Sequence, residues 1–171
     1  MKLEKYNDNL EINEISINTN LIKNSKFSKS SINLITKEEK SNMEFGTKIH
    51  EVLELIDFKY PKLEIFDINN KIKEKIKLFL SSDIISSNIN NKMYKEYEFI
   101  DISLGIKKHG IIDLLIDAED KFIIIDYKLN NIIDSLYNKQ LNGYKEYIEK
   151  TYNKKCICYL YSILQNEFII V

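Results

Sequence analysis

The first regular pattern along the chain is helical. From about Thr36, the apolar residues Phe45, Ile49, Val52, Leu53 and Ile56 recur at three- and four-residue spacing, which traces one face of an α-helix. Thr36 and Glu39 have the spacing of a capping box, in which the two side chains satisfy backbone N–H groups that a helix start leaves open. Pro61 breaks the run. Ile72, Ile76, Phe79 and Leu80 then predict a second amphipathic helix over about 69–81. SSDIISSNINN reads as a polar linker. Beyond it the period changes. YKEYEFIDI (94–102) alternates as a strand does, GIIDLLID (110–117) predicts another strand and KFIIIDYK (121–128) a third. Ala118-Glu119-Asp120 is short enough to join the last two as a hairpin. Helical spacing returns from about Asp134 to Tyr152, with Tyr137, Leu141, Tyr144 and Ile148 on one stripe. CICYLYSI (156–163) and EFIIV (167–171) are the final strands. This order of elements predicts a mixed α/β domain.

Residues 1–35 are polar and rich in Asn and Ser, and read as a lead-in to a domain over 36–171. Within them LEINEISI alternates weakly, as a short edge strand would, and KNSKFSKSSIN reads as a connector. A length of 171 residues at 44% hydrophobic composition is enough for one domain with its own core.

The formal net charge is −1, so any phosphate-binding surface must be local, built by clustered lysines. Cys156 and Cys158 are the only two cysteines. Their spacing on a strand puts both on one face as small apolar residues, and there is no further Cys to complete a zinc or iron–sulfur set. No disulfide framework is possible, which agrees with a reducing cytoplasm. No apolar run approaches the ~20 residues of a membrane span, and MKLEKYNDNLEINE lacks the apolar segment of a signal peptide.

The chemistry concentrates at FIIIDYK (122–128). Alternation puts Asp126 and Lys128 on one face of that strand and Tyr127 on the other. Asp113 sits inside the apolar run Ile111-Ile112-Asp113-Leu114-Leu115-Ile116. A carboxylate there must be paired, protonated or bound to a metal, because burying it alone costs several kcal/mol. One reading is a buried salt bridge of Lys128 with Asp113 or Asp126. The other is that two carboxylates from adjacent strands meet at a hard divalent cation, Mg²⁺ or Mn²⁺, which one lysine does not replace. His50 lies at the edge of the first helix's apolar stripe. Gly46 is one turn before it and would leave open space beside the imidazole. Gln140 and Tyr144 stand one turn apart on the last helix, where a core-edge glutamine needs polar partners. Each of these residues is also compatible with a purely structural role. His109 precedes Gly110 at an expected bend and is assigned no role.

Taken together, GTKIHEVLELIDF, KEYEF, GIIDLLIDAEDKFIIIDYK and QLNGY resemble the C-terminal nuclease domain of AddA/RecB-type helicase–nucleases, the RecB-like branch of the PD-(D/E)XK nucleases. The family pattern is a G-x-x-x-H helix, an E-x-x-F strand, G-x-x-D, I-I-D-Y-K and Q-x-x-x-Y. All of these are present in order, and the resemblance covers about residues 25–171. KNSKFSKSSIN also resembles the segment leading into that domain.

The resemblance implies a restriction-endonuclease-like α/β core, a central mixed sheet flanked by helices. It implies that His50, Asp113 and Asp126 bind Mg²⁺ or Mn²⁺ together with the backbone carbonyl of Tyr127. Lys128 would be the catalytic lysine, and Gln140 and Tyr144 would support the site and contact the scissile strand. Glu96 matches the family glutamate, and its strand could aim it at the site or at a neighbouring lysine. The implied reaction is metal-dependent hydrolysis of DNA, on single strands fed by a UvrD-like helicase, fused or separate, during double-strand break repair. The products would carry 5′-phosphate and 3′-hydroxyl ends. No P-loop pattern is present, so the chain reads as the nuclease module alone. Lys107, Lys108 and Lys139 are the candidate phosphate contacts. The alternative is a non-catalytic module that keeps the fold to bind DNA or a helicase partner.

Overall fold

The computed structural model describes residues 23–26, 37–103, 106–129 and 135–171. The edge strand expected in LEINEISI and Thr36 of the expected capping box lie outside these residues. Helix α1 (Lys37–Leu55) buries Ile49, Val52 and Leu53, three of the residues that define its stripe. A 3-10 turn at Leu63–Ile65 leads to α2 (Asn70–Leu80). The Asn69 side chain caps α2 by accepting from the Ile72 N–H at 3.0 Å. SSDIISSNINN is not only a linker: it contains a short helix, α3 (Asp83–Ser87). Ser82 accepts from the Ile85 N–H, and Ile85 is fully buried. One buried isoleucine is too sparse a signal for a periodicity reading to detect.

Six strands among the described residues form one mixed sheet. They are β1 (Lys23–Lys26), β2 (Lys92–Ser103), β3 (Ile106–Asp117), β4 (Phe122–Lys128), β5 (Cys156–Ser162) and β6 (Glu167–Ile170), with α4 (Ser135–Tyr152) crossing between the parallel strands β4 and β5. β3 and β4 form the expected antiparallel hairpin. Two expectations change. KNSKFSKSSIN is not wholly a connector, because its first residues form β1, which runs parallel to β3. His109 and Gly110 do not bend the chain but continue β3 against β2.

Side chains from the two faces of the sheet form two cores. One packs α1, α2 and α3 against Leu114, Ile116, Ile123, Ile125 and Tyr127. The other packs α4 against Ile112, Leu115, Phe122, Ile124, Cys156, Cys158 and Leu160. The result is a sheet between helical layers, the mixed α/β arrangement expected. Both cysteines are buried on the α4 side, as small apolar residues.

Two features of this sheet shape the site. β2 pairs along the whole of β3, so β1 and β4 share the opposite edge of β3. β1 pairs at residues 106–109 and β4 at 114–117. Residues 110–113 therefore lie in a fork on that edge. Second, both β2 and β3 slip in phase at one cross-strand level. Met93 packs on the α1 side, whereas Tyr97 and Phe99 pack on the α4 side. Strict alternation would put all three on one face. In β3, Leu114 and Ile116 face α1, and Ile112 faces α4. The slip falls at Glu96 and Asp113, which stand opposite each other between the pairs Lys95↔Leu114 and Tyr97↔Ile112. Glu96 absorbs it with φ 48, a left-handed conformation that non-glycine residues seldom adopt.

Candidate metal centre

The fork places Asp113 where β3 and β4 begin to part. Its Oδ2 accepts from the Tyr127 N–H at 2.6 Å, so the carboxylate takes up a strand N–H that the ladder no longer pairs. The Tyr127 carbonyl points to α1, where His50 Nε2 lies 3.3 Å away. His50 Nδ1 is 3.8 Å from Asp113 Oδ2, and its ring meets the Tyr127 ring edge-on at 5.3 Å. The stripe of α1 carries His50 to this point because Ile49, Val52 and Leu53 anchor the helix on the sheet. Gly46 does not leave open space here. A Cβ at Gly46 would lie 3.7 Å from Leu129, an ordinary contact.

Donor atoms of His50, Glu96 and Asp113 all lie within 4.8 Å of one another. Glu96 thus joins the cluster directly, through the phase slip that turns it toward α1. Asp126 lies close enough to act electrostatically on all three. Its position alternates with Phe122 and Ile124, on the α4 side, and Lys128 Nζ stands 2.6 Å from its Oδ2. Asp126 is almost fully buried, at 2% exposed. The contact with Lys128 is a close, charge-assisted pair. Of the expected set, His50 and Asp113 stand within 4.8 Å of one another together with Glu96, and Asp126 is paired with Lys128 beside them.

The electrostatics follow from burial and crowding. Burial, then the negative charge of Asp126, push the Asp113 carboxyl well above its usual range, against the pull of Lys128 and the Tyr127 N–H. Burial, with Glu54 and Asp126, raises Glu96. Burial and the charge of Lys128 lower His50, more than Asp126 and the Tyr127 carbonyl raise it, so its imidazole is a neutral ligand at ordinary pH. For Lys128, burial opposes the charge, but Asp126 and Asp113 outweigh it and the ammonium is retained more strongly than usual. Two aspartates thus share one ammonium.

An oxygen-rich set with one neutral imidazole and surplus negative charge fits a hard divalent cation. The crowded, proton-retaining carboxyls of Asp113 and Glu96 are what such an ion would relieve.

Gln140 and Tyr144 come together as the spacing predicts, with Gln140 Nε2 donating to the Tyr144 hydroxyl at 2.7 Å. Tyr144 is fully buried, edge-on to Phe99, so it braces Gln140 from below and does not itself face a bound strand. Gly110 makes this stack possible. A Cβ there would come within 2.8 Å of the Phe99 and Tyr144 rings. Lys107 and Lys108 lie six and five residues along β3 from Asp113, roughly 16–20 Å at the strand rise. They are not part of the cluster. Lys139 is exposed beside Gln140 on α4.

Sequence reasoning missed two residues. Lys95 donates to the Ile56 carbonyl and lies over the Phe58 ring, 4.2 Å from its centroid. Tyr137 lies under Lys128, with Nζ 4.9 Å from the ring centroid. Tyr137 was visible as part of a helical stripe. Nothing local pairs either residue with its partner.

No helix among the described residues is long and apolar enough to cross a membrane. No family model matches the chain, and no curated protein matches it either.

Proposed function

We propose that this chain is a divalent-cation-dependent DNA nuclease with a PD-(D/E)XK core, of the AddA/RecB-like kind that its motifs resemble. The observation that carries the reading is the convergence of His50, Glu96 and Asp113 within 4.8 Å, beside a lysine held 2.6 Å from Asp126. A structural salt bridge accounts for Lys128 and Asp126. It does not account for two further carboxyl groups and a neutral imidazole brought to the same place.

His50, Asp113 and Asp126 with the Tyr127 carbonyl, and Glu96 beside them, would hold Mg²⁺ or Mn²⁺, and the imidazole favours Mn²⁺. Such an ion supplies Lewis-acid activation of water and of the phosphoryl oxygen at neutral pH. The protein's own contribution is positional. Asp126 keeps Lys128 charged, and the ammonium neutralises charge that builds on the phosphorus oxygens in the transition state. A lysine between two aspartates is a poor base, so it orients water and stabilises charge rather than removing a proton. Gln140, fixed by Tyr144, offers a partly exposed amide to a phosphate oxygen or a water. With a net charge of −1, the isolated chain should bind DNA weakly and with strong salt dependence. That suits a module to which a helicase, fused or separate, delivers single-stranded DNA.

The test is cleavage of end-labelled single-stranded DNA in Mn²⁺ or Mg²⁺, with EDTA and Lys128→Ala as controls. Cutting that requires the cation and disappears in Lys128→Ala supports the nuclease. Binding without cutting in either metal returns the chain to the non-catalytic module.

A further inference from the structure

Two groups bear directly on the Lys128 ammonium. One is Asp126, whose Oδ2 is 2.6 Å away. The other is the Tyr137 ring, 4.9 Å from Nζ to its centroid. Tyr137 belongs to the first turns of α4 and packs, partly buried, on the core beneath that helix. Its stripe continues through Leu141, Tyr144 and Ile148, all buried, so the ring is carried on a rigid element.

We infer that Tyr137 is a positioning residue for Lys128, its ring face holding the ammonium toward the carboxylate cluster; the catalytic part of this inference rests on the nuclease reading. A carboxylate alone draws an ammonium onto itself and occupies its N–H groups. An aromatic face attracts the same charge through its quadrupole and occupies none of them. Between the two, Lys128 is held from opposite chemical directions and keeps N–H groups for a phosphate oxygen. Only the ring is needed for this, not the tyrosine hydroxyl.

The experiment uses the full chain with Tyr137→Phe and Tyr137→Leu. The first readout is independent of activity: the NMR shifts of the Lys128 Cε protons, assigned by their loss in Lys128→Arg. An upfield ring-current displacement should be present in the wild type, be kept in Tyr137→Phe and vanish in Tyr137→Leu. The second is cleavage of single-stranded DNA in Mn²⁺. The leucine variant should lose kcat on the order of tenfold with KM nearly unchanged, and the phenylalanine variant should stay close to wild type.

Absence of the ring-current shift in the wild type overturns the inference, and that result survives even if the leucine variant fails to fold. So does a phenylalanine variant that falls as far as leucine. If the wild type does not cut DNA at all, the nuclease reading fails separately, and the NMR shifts alone decide whether Tyr137 holds Lys128.

Discussion

Lys95 and Lys128 are each a partly buried lysine with its ammonium over an aromatic ring. Their charges respond in opposite ways. At Lys95, burial dominates over Asp57 and Glu54, and the pKa falls to about 8. Its close acceptor is the Ile56 carbonyl just past the end of α1, a neutral group. At Lys128, burial is outweighed by Asp126 and Asp113, and the pKa rises. A carbonyl and a ring suffice to hold an ammonium in place, but a carboxylate is needed to keep it charged through desolvation. Lys95 thus reads as a clamp that fixes the end of α1, and hence His50, on β2. Lys128 reads as a permanent cation aimed at an anion.

The largest difference should appear in catalysis. Lys128→Ala should reduce DNA cleavage by on the order of a hundredfold or more, while Lys95→Met stays within a few-fold. Equal losses, read from initial rates in Mn²⁺, would break the contrast. Stability comes next. Lys128→Met leaves the Asp126 carboxylate buried and unpaired, at a cost of about 3 kcal/mol in urea denaturation. Lys95→Met keeps the apolar stem over Phe58 and should change stability by less than about 1 kcal/mol.

Cation binding sharpens the comparison further. Mn²⁺ at about a hundred times its Kd should stabilise the chain by roughly 2.7 kcal/mol, seen as a rise in Tm that EDTA reverses. Asp113→Asn should remove most of that rise, and Lys95→Met none of it. An undiminished rise in Asp113→Asn would place the ion elsewhere.

The smallest effect is the alkaline pH dependence. The folded pKa of Lys95, about 8, lies below its ordinary value of 10.5. Between those values the unfolded chain binds the extra proton, so stability rises with pH across that window. Lys128 has the opposite sign, because its folded pKa is raised. Its contribution is complete below the unfolded pKa and is lost as pH rises through the folded one. Lys95→Met should therefore flatten the rise between pH 8 and 10.5 in urea midpoints; a slope that persists unchanged would remove Lys95 from this role.

Much of the scaffold was legible because it depends on local spacing. The stripe of α1, the hairpin of β3 and β4, and the Gln140–Tyr144 pair all follow from periods of 3.6 and 2. The hairpin register also set Asp113 level with Asp126. What local spacing could not reveal was the destination of each side chain. Asp126 pairs with Lys128, and Glu96 reaches the cluster only because β2 slips phase at φ 48. Tyr144 is too deeply buried to touch a bound strand, and Lys107 and Lys108 sit a strand's length from the centre.

The sequence by itself determined the order of helices and strands, the buried carboxylates and their lysine, and the candidate residues for a hard cation. Periodicity and the cost of burying charge are properties of short segments, so one chain read end to end is enough to see them. The tertiary structure decided which of those groups meet. A fork between β3 and β4, and a half-turn slip shared by two paired strands, aim side chains across distances that no local pattern encodes, and they bring Glu96 to the cluster around His50.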